Sequence, residues 1–138
     1  MAVDTDGLRR VAAECVTLVA AEFGSVLDWR VESLEQLDSV CERLLADGPL
    51  DDKRFHLWWQ VVGAYVGEVV VRAYGGRWIT HADAAGAYAV SVDGSTGFPF
   101  AVTQRVLEGE HLKNLASFAR VFPHLTDRPA ADAPRSTD

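Results

Sequence analysis

Two cysteines, Cys15 and Cys41, are too few for a disulfide framework. Each falls on the apolar phase of a predicted helix, where a reduced, buried thiol behaves as a small hydrophobe. A redox pair calls for a CxxC-like spacing or an electropositive setting, and neither is present. The chain therefore reads as cytoplasmic. Lysine is nearly absent, with eleven arginines to two lysines, and no basic run is longer than Arg9-Arg10. With a formal charge of −7, there is no basic stripe to release counterions or meet anionic headgroups. Nucleic acid and membrane are excluded as expected partners. No uninterrupted apolar run approaches the roughly 20 residues that span a bilayer. Val11 to Ala21 fails as an export signal because Glu14 interrupts it and no clean cleavage site follows. There is no GxSxG elbow and no P-loop. His56, His81, His111 and His124 are scattered without metal-ligand or nucleophile–base spacing, so no metal, cofactor or catalytic residue is expected.

What is present is apolar content. Of 138 residues, 49% are hydrophobic, enough for a core without disulfides or metal. The pattern predicts one α+β domain over residues 1–125, about five helices around a long central helix with a small hairpin or three-stranded sheet. Residues 126–138, which have no large apolar side chain, read as a disordered tail. Leu8, Val11, Ala12, Cys15, Leu18, Val19 and Phe23 recur with helical period, with Thr5 or Asp6 as cap and Gly24 as stop. Leu34, Leu37, Val40, Cys41, Leu44 and Leu45 form a second amphipathic stretch, opened by a Ser33…Gln36 capping box and stopped at Gly48-Pro49. On its outer face Glu35, Asp38 and Glu42 lie three and four apart, the pattern of a solvated stripe. Val26 to Trp29, short and rich in β-branched and aromatic residues, suits an extended segment that can join a sheet.

The stretch from Lys53 to Trp78 is the most apolar part of the chain and organises the rest. Asp51 or Asp52 can cap it and Gly75-Gly76 can end it, which gives a central helix of roughly 23 residues, or about 34 Å. Gly63 and Gly67 share one face and cost about 0.8 to 1 kcal/mol each relative to alanine, so another backbone is expected to approach there. Glu68 and Arg72 stand one turn apart with Tyr65 beside them, in an otherwise apolar neighbourhood. Two readings of Glu68 are open. Structurally it pairs with Arg72 or Arg105, or accepts from the Trp78 indole; functionally it serves as a general base or ligand-binding carboxylate in a cleft. Trp58 and Trp59 point about 100° apart, so one of them is available as a surface anchor.

Beyond Gly76 the period changes to that of strands. Arg77 to His81 and Ala87 to Val92 predict a hairpin, closed by the turn signal Asp93-Gly94. Val26 to Trp29 supplies a candidate third strand. Phe98-Pro99-Phe100 interrupts any further central strand. Val102, Val106 and Leu107 fit a short helix ended by Gly109, with Arg105 exposed or turned toward Glu68. Leu112, Leu115, Phe118, Ala119 and Phe122 fit a last helix stopped before Pro123.

The segments LDW, SLEQLD, GAYVGE, GGRW and FPF with its following QR resemble a family of small bacterial domains of unknown function, seen mainly in high-GC bacteria. The resemblance spans roughly residues 26 to 122. The family pattern is tyrosine-leucine-glycine-glutamate followed by glycine-glycine-x-tryptophan, so Gly67, Glu68, Gly76 and Trp78 match and Val66 departs. It implies an accessory domain and carries no activity. Two functions stay open. One is a non-catalytic protein-interaction module of immunity, chaperone-like or regulatory type, with a protein partner or as a homodimer. The other is a small-molecule binder or hydrolase with a cleft at Glu68, Arg72 and Arg105.

Overall fold

The longest apolar stretch makes the longest helix. A computed structural model gives the architecture and describes residues 4–81, 88–110 and 112–126. Helices α1 (Thr5–Phe23) and α2 (Ser33–Leu44) precede the central α3 (Asp52–Tyr74). Strands β1 (Arg77–Thr80), β2 (Tyr88–Val92) and β3 (Ser95–Gly97) follow, then α4 (Pro99–Leu107), α5 (Leu115–Arg120) and α6 (Phe122–Thr126). This is an α+β fold: a three-stranded antiparallel sheet, in the order β1-β2-β3, and five helical segments around α3.

Both ends of α3 lie where its sequence signals put them. Asp51 caps it by accepting the Arg54 N–H at 2.9 Å, and Gly75 ends it in the left-handed conformation at φ 69°. Every residue from Val61 to Val70 is buried, because α1, α4, α5 and the sheet all pack on this helix. A helix apolar all round belongs in the centre. Among the described residues no helix is long and apolar enough to cross a membrane.

Several local expectations give way to tertiary structure. The α1 cap is neither Thr5 nor Asp6 but Asp4, whose Oδ1 accepts the Gly7 N–H at 2.9 Å. The Ser33 capping box does not form. Glu32 occupies the cap position without a side-chain bond, and the Ser33 hydroxyl turns inward, donating to the Arg30 carbonyl at 2.7 Å. Val26 to Trp29 is not a strand, because Trp29 sits at φ 70°, which no extended run tolerates. The third strand comes instead from Ser95 to Gly97. Asp93 and Gly94, at φ 49° and 84°, make the tight two-residue turn that pairs Val92 with Ser95.

The last helix divides in two and starts late. Leu112 is 91% exposed and outside it; Asn114 caps α5 by accepting the Ser117 N–H at 2.7 Å. The chain then turns at Val121, and Pro123 lies within the first turn of α6, where a missing N–H breaks no helical bond. The connection 82–87, His111 and residues 127–138 of the expected tail lie outside the described residues.

The acidic stripe on α2 is only partly solvated. Asp38 accepts the Leu115 and Ala116 N–H groups at 2.7 and 3.1 Å, and Glu35 takes Arg120 at 2.6 Å. Asp38 thus docks the start of α5 onto α2, while Glu35, 61% exposed even with Arg120 on it, and Glu42 stay in solvent as expected. Burial pushes the Asp38 carboxyl up, and its two backbone bonds pull it partly back. We expect Asp38→Ala to lower stability by about 1–2 kcal/mol in urea unfolding, the usual cost of losing a helix cap, because two N–H groups lose their acceptor.

Cys15 and Cys41 are free and buried, as their apolar phase implies. Burial pushes both thiols up, Cys41 to about 12. Thiolate, the reactive form, is therefore scarce at neutral pH. An aromatic disulfide reagent is expected to titrate neither in the folded protein and both in denaturant; rapid labelling of the native form would contradict this burial.

Candidate functional site

The second half of α3 holds three polar groups, Tyr65, Glu68 and Arg72, that the apolar helix has to satisfy. Glu68 is 1% exposed, and a carboxylate so placed requires donors. Its Oε1 accepts the Trp78 indole N–H at 3.1 Å. Its Oε2 accepts two guanidinium Nε–H groups, from Arg72 at 3.0 Å and from Arg9 of α1 at 3.3 Å. One side chain therefore ties α1, α3 and β1 together.

A second layer rests on the first. The Arg72 guanidinium lies over the Trp29 ring, 4.1 Å from its centroid, and the Trp29 ring tilts against Tyr65 at 4.9 Å. The Trp29 N–H donates to the Tyr65 hydroxyl at 2.9 Å. Because Ser33 gives its proton to Arg30, the 2.6 Å contact between Tyr65 and Ser33 is one in which Tyr65 donates. Burial pushes the Tyr65 hydroxyl up, which keeps the proton that this chain of bonds needs. These contacts hold Trp29 in a left-handed conformation that costs a bulky residue of the order of 1–3 kcal/mol.

The glycine face of α3 meets aromatic rings. A Cβ at Gly67 would fall inside the Trp78 ring and one at Gly63 inside the Phe100 ring, both closer than the 3.0 Å that real Cβ atoms keep. The expected backbone neighbour is thus replaced by two aromatic side chains, which need the same missing volume. A close backbone approach occurs instead at Gly76, under the Ser91 carbonyl, while Gly75 supplies the left-handed turn. The glycine and carboxylate faces are also joined, since the Trp78 ring covers Gly67 and its N–H reaches Glu68.

The structure brings Glu68, Arg72, Tyr65 and Trp78 together and leaves out two other candidates. Arg105 is exposed and pairs with Glu110 at 3.8 Å, so its place on Glu68 is taken by Arg9. Trp58 is fully buried in an edge-to-face pair with Phe23, and Trp59 is half-buried with its indole N–H on the Phe100 carbonyl at 2.9 Å. Trp58 is therefore a core residue and no surface anchor. Arg9, Trp29 and Ser33 are the residues that sequence reasoning missed. Helical projection carried a trace of the first: Arg9 stands about 100° from Leu8, at the border of the apolar stripe, whereas Arg10 stands on the far side.

Glu68 is poorly placed to act as a general base, being 1% exposed with three N–H donors on its two oxygens. A base needs a lone pair that a substrate can reach, and both Glu68 oxygens lie beneath half-exposed arginines that donate to one of them. Among the described residues no three His, Cys, Asp or Glu groups are placed to hold a metal ion. A separate cleft of about 350 Å³ opens between α1, α3 and β2, walled by Leu8, Val11, Trp59, Ala64, Tyr88 and Phe100. The chain matches no protein-family profile, no curated protein and no solved structure.

Proposed function

We propose that this chain is a non-catalytic protein-interaction module, cytoplasmic and of accessory or regulatory type. One observation carries the reading: its buried carboxylate, the group best suited to chemistry, is spent on holding α1, α3 and β1 together. The accessory role implied by the GAYVGE and GGRW resemblance points the same way. Light scattering and co-purification from the native host test it. The expected result is a stable complex or homodimer; a strict monomer with no accompanying protein counts against the proposal.

A second reading has its own observation. The cleft walled by Trp59, Tyr88 and Phe100 has the size and aromatic lining of a small-molecule site. It takes the place of the cleft expected at Glu68, Arg72 and Arg105. A thermal-shift screen decides, with Val11→Phe, at a half-buried wall residue, as the blocking variant. If no compound class raises the melting temperature, or if the blocked variant responds equally, this second reading fails.

A further inference from the structure

Arg9 and Arg72 do more than neutralise Glu68. Each guanidinium carries five N–H donors, and each commits only its Nε–H to the carboxylate. Among the described residues their terminal amino groups make no hydrogen bond, and the side chains are 53% and 46% exposed. Two guanidinium groups thus share one carboxylate. No acid other than Glu68 is bonded to either arginine among the described residues. Asp28 accepts the Arg30 N–H at 3.2 Å, and Glu32 pairs with Arg30 at 3.6 Å.

The pair is also held in place before any ligand arrives. Both Nε atoms lie within 3.3 Å of the same buried oxygen, and the Arg72 guanidinium carbon lies over the Trp29 ring. Arginine side chains normally lose rotamer entropy on binding; here folding has already restricted them, which lowers the cost of capturing a ligand. Converging guanidinium groups with free terminal N–H donors are the chemistry that recognises a group with two or more charged oxygens.

We infer that the outward edge of Arg9 and Arg72, above Glu68 and beside Trp29, is a receptor for an oxyanion, a carboxylate or phosphoryl group. This goes beyond the interaction reading and does not depend on it, since the oxyanion belongs equally to a small molecule or to a larger partner.

The test follows the arginine Nε–H and tryptophan indole resonances by NMR while sodium phosphate or sodium acetate is added to the full chain. Sodium chloride at equal ionic strength is the reference. The expected result is a saturable shift of Arg9, Arg72 and Trp29 with at least one oxyanion; a stronger response to phosphate identifies a phosphoryl group, and one to acetate a carboxylate. Arg9→Gln keeps an N–H donor for Glu68 but loses the charged fork, so binding weakens by about tenfold or more, the worth of a charge-assisted hydrogen bond. Arg9→Lys, which keeps the charge, weakens it less and serves as the test if Arg9→Gln does not fold. Chloride reproducing the shifts, no saturable shift with either oxyanion, or an unchanged affinity in the variant that folds overturns the inference.

Discussion

Gly67→Ala is expected to lower the stability of the fold by about 3 kcal/mol, although alanine is the better helix former by about 1 kcal/mol. The added Cβ would enter the Trp78 ring. That ring is 5% exposed, lies against Phe100 with centroids 6.2 Å apart, and is anchored through its N–H to Glu68. Overfilling a packed core typically costs about 1–3 kcal/mol. Moving the indole also strands a buried N–H, worth about 1–3 kcal/mol more. Together these outweigh the gain in helix propensity. Gly63→Ala pushes against Phe100, whose ring makes no hydrogen bond, and should cost less. Urea unfolding of the two variants measures the difference; equal values, or a stabilised Gly67→Ala, would show that Trp78 is free to move.

Glu68→Gln should cost about 2–3 kcal/mol. Breaking a buried ion pair usually costs about 3–5 kcal/mol because one charge is left unpaired. Here the orphaned charges are two arginines that are half exposed, and water recovers part of the loss. The amide oxygen can still accept the Trp78 N–H, but the amide nitrogen then faces two guanidinium groups. A general base offers a different signature, since removing it abolishes turnover and commonly leaves stability intact. A Glu68→Gln protein of unchanged stability would therefore reopen the catalytic reading.

Local signals in the sequence were those whose partners are also local. Asp51 and Gly75 mark the ends of α3, Asp93-Gly94 marks a turn, and the apolar stripes of α1 and α2 mark their buried faces. The caps and the turn act on backbone within one turn of themselves, and each stripe is read from the spacing of one helix alone. The candidate site was legible only in part for the opposite reason. Glu68, Arg72, Tyr65 and Trp78 stand out because polar groups interrupt an apolar pattern. Arg9 lies 59 residues from Glu68 and Asp38 lies 77 from Leu115, so nothing local ties either pair together. Arg105 offered the same chemistry as Arg9, and only the packing of α1 on α3 decides between them. The missing volume at Gly63 and Gly67 was evident, but not that aromatic rings would fill it. Ser33 had a local use as a cap and a distant use on Tyr65; burial beside Tyr65 selects the distant one. Trp29 carries no local sign of its left-handed backbone, which the Tyr65 and Arg72 contacts impose.

A double-mutant cycle on Glu68→Gln and Trp78→Phe tests most directly whether the buried carboxylate is spent on structure. Trp78→Phe removes the indole N–H and retains an aromatic ring over Gly67. If Glu68 and Trp78 work as one tie, the two losses overlap, and unfolding free energies should give a coupling of about 1–2 kcal/mol, within the range for residues in contact. Losses that add to within about 0.5 kcal/mol, as for independent sites, would contradict the structural role given to Glu68.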